Sequence, residues 1–165
     1  MDTAVANPAA DSHARLVAHL DAAGAAYRIV EHEAEGRSEE ISVIRGNRPS
    51  QALKAMVVAL KGGAVDFGLA VLPGDRRVDF DALARAFGAR KVRFAAPEDA
   101  RRLTGCVMGS VPPFSFDPAM PLVADPAIQA NQEVCFNAAR LDRSIFMPLA
   151  DYLRAAEPRL SAFAA

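Results

Sequence analysis

The strongest pattern in the chain is a pair of apolar, β-rich runs, Leu53–Leu60 and Ala64–Leu72, separated by Gly62-Gly63. Two such runs joined by a glycine turn predict a β-hairpin. Side chains alternate across a strand, so Lys54 shares a face with Met56, Val58 and Leu60, and Val65 shares one with Phe67, Leu69 and Val71. Upstream, Leu16, Val17 and Leu20 mark one face of a helix over Ser12–Ala23 with Gly24 as its cap, and His13 and His19 fall on its polar side. Tyr27–His32 reads as a short strand. Ser38 is the expected N-cap of a helix through Ile41 and Ile44, with Glu39 and Glu40 at its positive end and Gly46 and Pro49 closing it.

After the hairpin, Pro73-Gly74-Asp75 is a turn, and Asp79 caps a helix carrying Leu83, Ala86 and Phe87 that ends at Gly88. Lys91–Phe94 is a strand. Pro97 opens a further helix at its first position, with Glu98 and Asp99 in the first turn. Leu122–Ala124, Val134–Asn137 and Ser144–Phe146 are short strands, and Pro148–Ala156 is a closing helix. Mixed elements with an adjacent hairpin predict an α+β fold, a single domain over residues 12–165 built on a mixed curved sheet or a partly closed barrel flanked by helices. The Ala-rich residues 1–11 are expected to be a flexible tail.

Composition narrows the classes of function. At 165 residues the chain is long enough for a real core, and 52% hydrophobic with 24% charged residues is ordinary for a globular protein. No apolar run approaches the roughly 20 residues that span a bilayer, and the N-terminus lacks the basic start of a signal peptide. The expected location is the cytoplasm. A net charge of −1 argues against a protein that coats DNA. Two stretches, Arg37–Lys61 and Arg76–Arg102, concentrate basic residues, and on charge alone a solvated surface is the plainer reading. Cys106 and Cys135 lack metal or redox spacing and read as packing residues.

The candidate chemistry lies in two segments. Lys54 opens the first hairpin strand on its apolar face, where a core gives way either to a pocket or to solvent reached by a snorkelling ammonium. The loop Gly109-Ser110-Val111-Pro112-Pro113-Phe114 offers the N–H groups of Gly109, Ser110 and Val111 beside two prolines that stiffen it. Consecutive amides of this kind form an anion nest or an oxyanion hole, or a plain tight turn. Ser110 has no evident His/Asp partner and is not read as a nucleophile; its amide, with that of Gly109, is the candidate catalytic element. Asn137 ends an apolar strand and either caps a turn or faces a pocket; Ser144 begins the next strand and His32 follows another, both with plainer surface readings. Nothing suggests a metal site or a cofactor.

These residues carry a resemblance. Lys54 within Gln51–Val58, the segment Val71–Asp79, Gly88–Val92, Thr104-Gly105 and the Gly109–Pro113 element occur in the order and spacing of the YbaK-type, prolyl-tRNA-synthetase-associated editing domains. The chain resembles that family from about Tyr27 to the end of the closing helix. The resemblance implies a mixed α+β unit that hydrolyses mischarged aminoacyl-tRNA without a metal. It implies that Lys54 holds the 3′-terminal adenosine region, that Gly109–Pro113 contacts the aminoacyl ester, and that Asn137 lines the pocket. On this basis Lys54, Gly109 and Ser110 form the catalytic set, and Val111, Pro113, Asn137, Ser144 and His32 the substrate-binding set. The expected partners are mischarged tRNA and, for delivery, a prolyl-tRNA synthetase or an elongation factor, with no membrane and no DNA.

Two departures from the family's pattern, Ser115 and Ala139 where many relatives have glycine, are expected to border the pocket. The stretches Glu35–Glu40 and Arg45–Asn47 look like a freestanding subgroup that clears Ser or Thr. A non-catalytic tRNA-binding module of the same fold, or a small-molecule hydrolase using the same lysine and loop, are the competing readings.

Overall fold

A computed structural model of the chain describes residues 8–165; the expected tail falls mostly on residues 1–7, outside the described residues. The first helix, α1 (Pro8–Ala22), starts earlier than its apolar stripe suggested. It is followed by β1 (Arg28–Glu31), α2 (Ser38–Arg45), a 3₁₀ turn at Pro49–Gln51, and the hairpin β2 (Leu53–Lys61) and β3 (Phe67–Pro73). Then come α3 (Phe80–Phe87), β4 (Lys91–Phe94), α4 (Pro97–Thr104), β5 (Leu122–Ala124), β6 (Glu133–Arg140), β7 (Arg143–Pro148), α5 (Leu149–Ala156) and β8 (Arg159–Leu160).

The strands form two sheets rather than a barrel. One is antiparallel, in the order β1-β7-β6; the other is mixed, in the order β4-β2-β3-β5-β8. Isolated parallel bridging between Ala52 and Cys135 joins them. The hairpin pairs Leu53 with Pro73 through Ala59 with Phe67, so its second strand begins three residues later than the apolar run. β3 is buried nearly throughout, which is why it reads as a continuous apolar segment.

Both faces of the five-stranded sheet are covered. Val58, Leu60, Ala70 and Leu72 pack under Leu83 and Ala86 of α3 and under Phe163. On the other face Leu53 and Val71 meet Phe136, Ile145 and Met147 of the smaller sheet, Leu16 and Leu20 of α1, and Tyr152 of α5.

Local signals explain most boundaries. Asp79 accepts from the N–H groups of Asp81 and Ala82 at the start of α3, and Gly88 ends that helix in the left-handed conformation. Pro97 occupies the first turn of α4. Ser38 is not the cap of α2: that position is Arg37, which makes no side-chain cap bond. His13 and His19 are half-buried, and each ring reaches a backbone carbonyl at 2.7 Å, of Ala138 and Ala155 respectively.

Candidate functional site

β2 is paired along one edge by β3, but β4 covers the opposite edge only from Val58 to Lys61. At its start β2 touches the smaller sheet at the single bridge from Ala52. Among the described residues no strand pairs with that edge between Leu53 and Met56, where the sheets fork; the Val57 carbonyl accepts from the Ala95 N–H at 3.0 Å. An unpaired edge presents free backbone polar groups. A cavity of about 340 Å³ fills the fork, lined by Leu53–Val57, by Ser38, Ile41 and Arg45 of α2, by Phe94 and Ala95, by Met108, Gly109 and Val111, and by Asn137.

Lys54 lines this cavity, yet its ammonium donates to the Arg76 carbonyl in the turn after β3. Burial pushes its pKa down, opposed by the nearby Asp75 carboxylate. Both sequence readings thus hold in part: the stem borders the pocket and the charge reaches the rim.

The Gly109 loop lies at the cavity's other wall. Gly109 is exposed, has φ +87°, and abuts the Gly36 backbone, where an added Cβ would sit 2.7 Å from the Gly36 Cα. No residue with a side chain fits there without moving the loop. The three expected amide donors are not equivalent. The Ser110 N–H donates to the Val107 carbonyl at 3.0 Å, and its hydroxyl does the same at 2.7 Å. Ser110 is fully buried and does not line the cavity, so neither its amide nor its side chain is placed on the cavity wall. Among the described residues the N–H groups of Gly109 and Val111 have no protein acceptor, and both residues line the cavity. Pro113 also points away; its carbonyl accepts from the buried Tyr152 hydroxyl at 2.8 Å.

Asn137 is a strut rather than a cap. Its amide donates to the carbonyls of Glu35 and Gly109, both at 2.9 Å, and so ties the two touching loops to β6. Its oxygen accepts from the Ser144 hydroxyl at 3.0 Å and from Arg45 Nη1 at 3.3 Å. Ser144 is fully buried, not exposed, and also receives Arg45 Nη1 at 3.1 Å. His32 Nε2 lies 2.8 Å from the same hydroxyl. Ser144 and His32 therefore stand behind Asn137, outside the cavity.

Sequence reasoning placed Arg45 on a solvated surface. It is instead a half-buried cavity wall whose Nε is held by Asn47 at 2.9 Å. Among the described residues no carboxylate pairs with it, and burial lowers its pKa. The available signal was its helical spacing from Ile41, which lines the same cavity.

Neither departure from the family pattern borders the cavity. Ser115 donates to the carbonyls of Asp117 and Met120, and Ala139 sits at a β-bulge with φ +64°, the conformation for which glycine is favoured. Both cysteines are free and buried, and burial raises both thiols, that of Cys135 to about 11. Among the described residues no cluster of three His, Cys, Asp or Glu is placed to hold a metal.

The chain is 44% identical over 154 residues to the multifunctional Ser/Thr-tRNA deacylase ProXp-y of Escherichia coli K12, covering 92% of each. It is 30% identical over 100 residues to the proline–tRNA ligase of Bacillus cytotoxicus, a match to 61% of this chain and 17% of that enzyme. Among solved structures, a candidate trans-editing enzyme for prolyl-tRNA synthetase has a TM-score of 0.80 at 24% identity, covering 93% of this chain and 97% of that one. A hypothetical protein, APE2540, has a TM-score of 0.81 at 22% identity, covering 92% and 99%. Residues 32–155 match the model of the aminoacyl-tRNA editing domain, and the chain belongs to that family.

Proposed function

We propose that this protein hydrolyses the ester linking a wrongly attached amino acid to the 3′-terminal ribose of tRNA, acting in trans and removing serine and threonine. The observation that carries the reading is the forked-sheet cavity, with a cation at one end and the amides of Gly109 and Val111 at the other. The likeness to the E. coli Ser/Thr-tRNA deacylase supports it.

An aminoacyl ester is already activated, so positioning and charge stabilisation supply much of the acceleration. Water attacks the ester carbonyl, assisted by the free hydroxyl of the terminal ribose. The Gly109 and Val111 N–H groups receive the oxyanion as it forms, and the Lys54 ammonium holds the negatively charged end of the tRNA at the rim. Asn137, Ser144 and His32 keep the Gly109 loop in place. Arg45, a donor without an anionic partner in a largely apolar cavity, receives the side-chain hydroxyl of serine or threonine.

The partner is mischarged tRNA, handed over by a prolyl-tRNA synthetase or an elongation factor in the cytoplasm. The similar segment within a proline–tRNA ligase supports the first of these. No described helix is long and apolar enough to cross a membrane.

The test is deacylation of Ser-, Thr-, Ala- and Cys-charged tRNA by the parental protein and by Lys54→Ala. Lysine-dependent release of serine and threonine is expected. Binding of these tRNAs without release of any amino acid would replace the enzyme with a tRNA-binding module.

A further inference from the structure

The cavity, at about 340 Å³, lies at the small end of the roughly 300–1,000 Å³ typical of ligand sites. It has room for an aminoacyl group and its ribose, so the nucleic acid attached to them leaves over the rim. Two exposed apolar side chains stand among its lining, Met108 (68% exposed) and Phe94 (52% exposed), and Phe94 is the lining's one aromatic residue.

Phe94 ends β4, an edge strand, opposite Val58. The Phe80 ring, itself 39% exposed, meets it at 5.1 Å and 73°. A near-perpendicular contact covers at most one face of the Phe94 ring, so a face is open for stacking.

The same edge is cationic. Lys61 lies directly across from Lys91, and Arg93 lies across from Ala59. All three cations are exposed, and none takes part in the ion pairs among the described residues. Asp66 in the hairpin turn and Asp79 and Asp81 at the start of α3 are on neighbouring segments, but none is within ion-pair distance of them. Like charges directly opposite each other disfavour strand pairing, so this arrangement does nothing for the sheet. Alternation sends Lys91 and Arg93 to the opposite face of β4 from Phe94, so the positive charge runs along the strand edge that carries the aromatic ring, behind the cavity mouth.

Single-stranded nucleic acids are held by this combination of cations along the backbone and aromatic rings under the bases. We propose that Phe94, braced by Phe80, is a stacking platform for an unpaired nucleobase of the tRNA 3′ strand, and that Lys61, Lys91 and Arg93 receive its phosphates. The inference rests on the deacylase reading only for the identity of the strand.

The test uses the full chain with Ser-charged tRNA in single-turnover deacylation, and a short labelled single-stranded RNA in fluorescence anisotropy. Phe94→Ala is expected to raise the half-saturating concentration and the RNA dissociation constant by about tenfold or more, with a smaller effect on the rate at saturation. Phe94→Trp restores both. Replacing Lys91 and Arg93 with alanine weakens binding and flattens its salt dependence. Parental half-saturation and RNA binding in Phe94→Ala would overturn the platform. So would a loss seen only when a prolyl-tRNA synthetase is added, which would make the patch a protein-docking surface. If the parental protein released no amino acid while RNA binding still depended on Phe94, the platform would stand and the deacylase reading would fall.

Discussion

Gly36 and Gly109 meet backbone to backbone. A methyl built on Gly109 would lie 2.7 Å from the Gly36 Cα, and one built on Gly36 would lie 3.2 Å from the Gly109 Cα. Gly109 also holds φ at +87°. Gly109→Ala is therefore strained twice over and must shift the loop. The expected outcome is a loss of about 100- to 1,000-fold in the single-turnover rate, the effect of losing one oxyanion donor, with stability lower by more than about 1 kcal/mol. Deacylation kinetics and urea melts check both.

Asn137 clamps that contact by donating to Glu35 and Gly109. Asn137→Ala leaves two carbonyls without their donor. Counting only these two bonds, at about 1 kcal/mol net each, the variant should lose about 2 kcal/mol of stability or more, together with activity. Hydrogen exchange of the Gly109 loop should quicken relative to α3.

Lys54→Met separates activity from stability. The ammonium is partly desolvated, which depresses its pKa. For a lysine the sign runs opposite to that of an ion-paired one. The folded state holds its proton less tightly than the unfolded state, so this group's contribution to stability rises with pH between the folded and unfolded pKa values. Removing the charge should leave the thermal midpoint at neutral pH unchanged or higher. The rate with tRNA should fall by about tenfold or more, as when a hydrogen bond to a charged group is lost.

Arg45→Met tests amino-acid selection. A hydrogen bond to a charged group is worth about 1.5–3 kcal/mol. The ratio of Ser-tRNA to Ala-tRNA deacylation should therefore fall by about tenfold or more. An equal loss on both substrates would leave Arg45 as support for Asn137 and Ser144 alone.

The Glu35 carboxylate accepts from the Arg37 side chain and from the N–H groups of Gly36 and Arg37. The hydrogen bonds from Arg37 lead in lowering its pKa from the ordinary 4.5 to about 2. Its contribution is fully present above about 4.5 and is lost as pH falls through about 2. Glu35→Gln should be slightly less stable than the parent at pH 7, and the difference should vanish near pH 2. Melts at the two pH values check it.

Local signals in the sequence were enough for most elements. The hairpin follows from its apolar runs and glycines, α3 from Asp79 and Gly88, and α4 from Pro97, because each depends on neighbours within a few residues. β8 was missed: at two residues it exists only as an addition to β5. The partners of His13 and His19 were not foreseen because they lie 125 and 136 residues away in the chain.

The site divides in the same way. Lys54, the Gly109 loop and Asn137 were identifiable as residues, since a cation opening an apolar strand and a glycine–proline loop are local features. Their geometry was not. The Ser110 amide and the Pro113 carbonyl turned out to be engaged within the protein. Ser144 was buried, and Arg45 moved from an apparent surface position to the cavity wall. By itself the sequence determined the α+β class and most of the elements, through turn chemistry and side-chain periodicity. Only the tertiary structure decided where β2 loses its partner strand, and so where the cavity opens and which residues line it. Those outcomes depend on contacts between segments distant in the chain, which no local pattern encodes.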